Sequence, residues 1–149
     1  MTEIFFYKLK NLSVELFLIS LIEKSISMNW SSVVLLDNIE RMEEINDLLW
    51  TFNDVSFIPH GSQSDLSPER NKVYLTCNEE NPNKANAIFS IDGVAINNPK
   101  NWSRCIYIFN EQNLKVTDEL ESYKREIKDL DYIQKSFEQD QNGKWISNN

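Results

Sequence analysis

The chain has 149 residues, 41% of them hydrophobic, which is enough to bury roughly two-thirds of the unfolded surface around one core and too little for two ordinary domains. Residues 1–149 therefore read as a single domain. Fifteen Lys and Arg against 23 Asp and Glu leave a net charge of −8, a field that repels phosphate backbones and argues against direct binding to nucleic acid.

The opening stretch, MTEIFFYKLKNLSVELFLISLIEKS, is apolar in places, but Glu3, Lys8, Lys10 and Glu15 interrupt it before a membrane span of about 18 residues can form. It also lacks the basic start and small-residue cleavage site of a secretory signal, so the expected location is the cytoplasm and no membrane contact is expected. Ile4 to Leu9 packs aromatic and β-branched residues into a short run, the mark of a strand covered on both faces. After Ser13, a good helix N-cap, Val14, Phe17, Leu18, Leu21, Ile22 and Ile26 recur at helical spacing, with Leu16 and Ile19 widening the apolar surface of a largely buried helix. SSVVLLDN at 31–38 reads as a second central strand, because Val33 to Leu36 is continuously apolar, as in parallel sheets.

A second helix follows, with Ile39, Met42, Ile45, Leu49 and Phe52 on one stripe and Glu40, Arg41, Glu43, Glu44 and Asp47 on a solvated far side. Strand, helix, strand, helix from the first residues argues for a layered α/β fold with right-handed crossovers. Gly61 to Asn71 is polar and without apolar period, and reads as an exposed loop. Strands are expected at KVYLTC (72–77), at Ala87 to Ile91 before an Asp92-Gly93 turn, and at Arg104 to Phe109. Val116, Leu120, Tyr123, Ile127 and Leu130 then mark an amphipathic helix, Tyr132 to Phe137 an edge strand, and Asn142-Gly143 a turn before the apolar pair Trp145-Ile146. Cys77 and Cys105 lack the paired spacing of a zinc site or disulfide framework and read as reduced, buried thiols.

A phosphate site after the first strand would need glycines, so that backbone amides can approach the ligand. The turn there is KLKNLS, and the chain holds only Gly61, Gly93 and Gly143, so no nucleotide cofactor is expected. His60, the only histidine, is the one candidate general base; an enzyme built on it would recruit Asp65 or Glu69. No nucleophile or polarising partner is fixed around it in the sequence, and a loop histidine bonded to backbone is the plainer reading. The carboxylates of the second helix alternate with Arg41, which disfavours a metal or paired-carboxylate site. The aromatics are different. Trp50 lies about 160° around the helix from Phe52, away from the apolar stripe, with Phe57 close behind. Such a pair suits an interface hot spot, though local loops that bury both would serve equally well.

IFFYKL at 4–9, NDLLWTFNDVSFIPHG at 46–61, ENPNKANAIFSIDG at 80–93 and EQDQNGKWI at 138–146 resemble, in order and spacing, the chi subunit of bacterial DNA polymerase III, an accessory protein of the clamp-loader assembly. The resemblance implies a three-layer α/β/α Rossmann-like sandwich with a mixed, mainly parallel sheet, no catalytic activity and no cofactor. It implies two partners: psi or another clamp-loader protein, and the acidic C-terminal tail of single-stranded DNA-binding protein. Trp50 and Phe57, with neighbouring Pro59, match the surface used for psi and for helicase-type partners. Tyr123 and Lys124 match the aromatic and the lysine of the tail pocket, and Lys128 lies one turn further on. Two preceding basic positions of that pocket fall on Val116 and Leu120, so weaker tail binding or a shifted pocket is expected.

Overall fold

A computed structural model describes residues 1–51, 60–62 and 72–147. In chain order the elements are β1 (Glu3–Leu9), α1 (Val14–Ser27), β2 (Ser32–Leu35), α2 (Ile39–Thr51), β3 (His60–Ser62), β4 (Val73–Thr76), β5 (Ala87–Ile91), a 3-10 turn (Pro99–Asn101), β6 (Arg104–Asn110), α3 (Leu114–Ile127), β7 (Ile133–Gln139) and β8 (Trp145–Ser147). The eight strands form one sheet in the order β3-β4-β2-β5-β6-β1-β7-β8. Every pairing is parallel except β7 with β8, so the sheet is mixed and mainly parallel.

Side chains alternate across the sheet and give each face its own core. Phe5, Leu9, Val34, Phe89 and Ile108 pack with Phe17, Leu18, Ile22 of α1 and Met42, Ile45, Leu49 of α2. Ile4, Phe6, Val33, Tyr107 and Phe109 pack on the other face with Val116, Leu120 and Ile127 of α3. This is the three-layer α/β/α sandwich, and it explains why the central strands read as unbroken apolar runs: neither face meets water. The helix starts are chemically marked. Ser13 Oγ accepts the Leu16 N–H at 3.1 Å, Asn38 Oδ1 accepts the Arg41 N–H at 2.8 Å, and Asn113 Oδ1 accepts the Val116 N–H at 3.3 Å.

Several sequence expectations change in detail. Gly61 and Ser62, placed in a loop, belong to β3, which pairs with β4 at the sheet edge; residues 63–71 of that loop lie outside the described residues. Tyr132 to Phe137 is not an edge strand, since β7 sits between β1 and β8. The last helix ends at Ile127, three residues before Leu130, which is exposed. Leu16 and Ile39 are exposed although their spacing put them on apolar faces. Phe52 lies outside the described residues. Cys105 is buried, as read, and loss of hydration pushes its thiol up to about 12, which keeps it protonated and inert. Cys77 is only half-buried.

The Asp92-Gly93 turn forms as expected, with positive φ at both residues (60° and 80°). A Cβ at Gly93 would lie 3.0 Å from both methyl carbons of Val116, so the turn and α3 approach as closely as a glycine allows.

Candidate partner-binding site

In open α/β sheets, ligands bind beyond the carboxyl ends of two neighbouring strands whose crossovers leave on opposite faces. Here those strands are β1, which leads into α1, and β6, which leads into α3. The spot is already closed. The Glu111 N–H donates to Leu9 O at 2.9 Å, and Lys10 Nζ lies 3.7 Å from Glu111. The Lys10 and Asn11 amides, the ones a phosphate would use, donate instead to Oε1 of buried Gln139 at 2.8 and 3.3 Å. The glycine-free KLKNLS turn thus uses its amides to fasten the end of β7.

The late helix offers a different kind of site. Its stripe of Val116, Leu120 and Ile127 faces the sheet. Tyr123 is half-buried between them, its ring edge-on to Phe6 and Tyr107 with centroids 6.2 and 5.6 Å away. Burial is the main reason that its hydroxyl titrates above the usual tyrosine value. Lys124, one residue further round the helix, holds its ammonium 5.1 Å from the centroid of the Phe6 ring and 3.0 Å from Glu121. Glu121 also receives Lys8 at 3.6 Å. Desolvation alone would raise the Glu121 carboxyl, but the hydrogen bond and charge of Lys124, with help from Lys8, outweigh it and hold the group below its ordinary range.

Lys128 is one turn beyond Lys124 and exposed. Together with Glu121, Lys124, Arg125, Tyr132, Gln134 and Ser136 it lines an open cleft of about 430 Å³ between α3 and β7. Arg125 and Lys128 carry no ion pair among the described residues, so both charges are presented to solvent. Tyr123 is not part of this cleft. It lines a neighbouring groove of about 440 Å³ with Ile96, Leu120, Ile127 and Leu130, and Tyr132 borders both. The structure therefore brings Lys124 and Lys128 together and sets Tyr123 across a tyrosine ridge from them.

Val116 and Leu120 are buried against the sheet, so the two positions that the resemblance implies to be basic supply no charge to the cleft. Arg125 was legible as a charge beside Lys124 and Lys128, whereas Tyr132, Gln134 and Ser136 were missed in the sequence. The period-two alternation of β7 does put Gln134 and Ser136 on one face, but nothing local says that α3 lies over it. The side chain of Trp50, in the last turn of α2, lies outside the described residues, as do Phe57 and Pro59. So do the His60 side chain and its candidate partners Asp65 and Glu69. Among the described residues no three His, Cys, Asp or Glu side chains are grouped to hold a metal, and no helix is long and apolar enough to cross a membrane.

The sequence pattern of the family described as DNA polymerase III chi subunit, HolC matches residues 1–132. The chain is also similar to a curated protein of Rickettsia prowazekii (strain Madrid E) named "Probable DNA polymerase III subunit chi", at 34% identity over 124 residues, which covers 81% of this chain and 74% of the relative. The family match stops one residue before β7, so one wall of the cleft, and the EQDQNGKWI stretch, lie beyond it.

Proposed function

The chain belongs to the DNA polymerase III chi subunit family, and from that premise we propose that it is a non-catalytic, cytoplasmic adaptor linking the clamp loader to single-stranded DNA-binding protein during replication. The observation that carries the reading is the α3/β7 cleft. On a chain of net charge −8, it gathers Lys124, Arg125 and Lys128 around Tyr132. An acidic peptide tail ending in an apolar residue and a free carboxylate matches that chemistry, because the cations orient the carboxylate and the tyrosine ridge takes the apolar end.

A fluorescent peptide of the tail's acidic, Phe-terminated sequence should bind saturably in the micromolar range, about −8 kcal/mol, and more weakly as salt rises. Lys128→Glu should weaken it about tenfold, near 1.4 kcal/mol. Lys128 is the cleaner test than Lys124, whose ammonium lies over the Phe6 ring, because it is exposed and its replacement leaves the core untouched. Absence of saturable binding to the unmodified protein would remove the tail-binding half of the proposal.

The other half places psi or another clamp-loader protein on the surface of Trp50, Phe57 and Pro59. Trp50→Ala should weaken capture of that partner by about 2 kcal/mol, roughly 30-fold, with an unchanged circular dichroism spectrum. Equal binding by the variant would remove the assignment of this surface.

A further inference from the structure

A second recess lies on the opposite face of the sheet, under the C-terminal turns of α1. Its floor is Phe5, Phe89 and Ile106, and Leu21 and Trp30 wall it. It holds about 80 Å³, room for a single aliphatic side chain and less than the roughly 150 Å³ that takes a benzene ring. Met28, half-exposed at the rim, is the flexible residue that adapts to different occupants.

Three polar groups border this apolar space. The Arg104 guanidinium lies 4.7 Å from the centroid of the Trp30 ring and 5.5 Å from that of Phe5, so two aromatic rings hold it in place. Its ion pair among the described residues is a 3.6 Å contact from Nε to Glu3, a carboxylate that Lys135 approaches more closely, at 3.2 Å. Lys24 also lines the recess, and its ammonium has no ion pair among the described residues. Tyr7 is a third lining residue, and its hydroxyl makes no hydrogen bond among the described residues. Lys24, Arg104 and Lys135 against Glu3 leave a local excess of two positive charges on a chain that is otherwise strongly acidic. Apolar walls with a few convergent donors are the usual make-up of a binding pocket.

We propose that this recess binds the carboxyl-terminal residue of a protein partner, with its apolar side chain in the cavity and its α-carboxylate on Arg104 and Lys24. The cavity holds one side chain and its cations stand beside it, so the ligand has to join an anion to an apolar group within one residue. A chain terminus does that with its own atoms. A guanidinium already stacked on Trp30 and Phe5 has little freedom left to lose on binding, and its fork matches a carboxylate. The recess and the α3/β7 cleft share no residue, so this inference does not rest on the tail-binding reading.

The test is an NMR titration of the full chain with N-acetyl-leucine, followed at the Trp30 indole N–H and assigned through Trp30→Phe. A saturable shift is expected at millimolar ligand, with the uncharged N-acetyl-leucinamide analogue at least tenfold weaker. Arg104→Gln should weaken binding about tenfold, and Lys24→Gln, on an exposed residue that leaves the fold intact, about threefold. Lys128→Glu should leave the Trp30 shift unchanged. No response at Trp30, equal binding of acid and amide, or a response unaffected by both Arg104→Gln and Lys24→Gln would each overturn the proposal.

Discussion

Leu120→Arg should lower the unfolding free energy by about 3 kcal/mol, read as a fall in the urea midpoint at unchanged slope. Leu120 is 5% exposed and belongs to the α3 stripe that packs with Tyr107 and Ile96 beneath the helix. Removing such a leucine commonly costs 2–5 kcal/mol in lost transfer energy and unfilled space, and a guanidinium held among these buried apolar side chains would also lose its hydration. Leu120→Met, which keeps volume and polarity, should cost less than about 1.5 kcal/mol. The comparison also bears on function, since a basic residue is what the family resemblance implies at this position. Leu120 borders the groove beside the cationic cleft. A cost near zero for Leu120→Arg would therefore mean that the arginine stem lies along the groove with its head in water, and would return the position to the binding surface.

The parts of the fold that the sequence made legible are those whose signal is local and repeated. β1, β2 and β6 are covered on both faces, and IFF, VVLL and CIYIF are unbroken apolar runs for that reason. The stripe 116, 120, 123, 127 in α3 is right because a helix repeats its face every three or four residues. What escaped is short or non-local. β3 and β8 have three residues each, too few to establish a period of two, and without β8 the neighbouring β7 looked like the edge. The cleft divides in the same way. Lys124 and Lys128 are one turn apart and could be paired from the sequence, whereas Tyr132, Gln134 and Ser136 join them only because β7 is hydrogen-bonded beside β1, across from α3.

Arg41 is the clearest case of a residue whose role is set by distant partners. Its place among Glu40, Glu43 and Glu44 suggested a solvated face, yet its side chain is only 18% exposed. It reaches Glu15 of α1 at 2.5 Å, Asp92 of the turn after β5 at 2.8 Å and Glu44 of its own helix at 3.0 Å. The positive φ values at Asp92 and Gly93 accompany the turn that puts the Asp92 carboxylate beside the guanidinium. One cation thus ties two helices and a strand end together, and its removal leaves Glu15 and Asp92 without their shared counter-ion.

Arg41→Met keeps most of the stem's packing and deletes the charge, and should destabilise the protein by about 2–3 kcal/mol near neutral pH, the upper range for hydrogen bonds to charged groups with partly exposed partners. The pH dependence identifies the cause. Burial works to raise the Glu15 carboxyl, but the hydrogen bond and charge of Arg41 outweigh it, and the net position is below the ordinary value of 4.5. A carboxylate depressed in the folded state contributes stability that is fully present above its unfolded pKa and is lost as pH falls through the folded one. The difference in urea midpoint between the unmodified protein and Arg41→Met should therefore be widest at pH 6–7 and shrink steadily below about pH 4.5, as Glu15 takes up its proton. Glu15→Gln should reproduce part of the loss and flatten the remaining pH response. A gap of the same size at pH 3 and pH 7 would mean that Arg41 acts through packing alone, and the ion-pair account of this junction would fail.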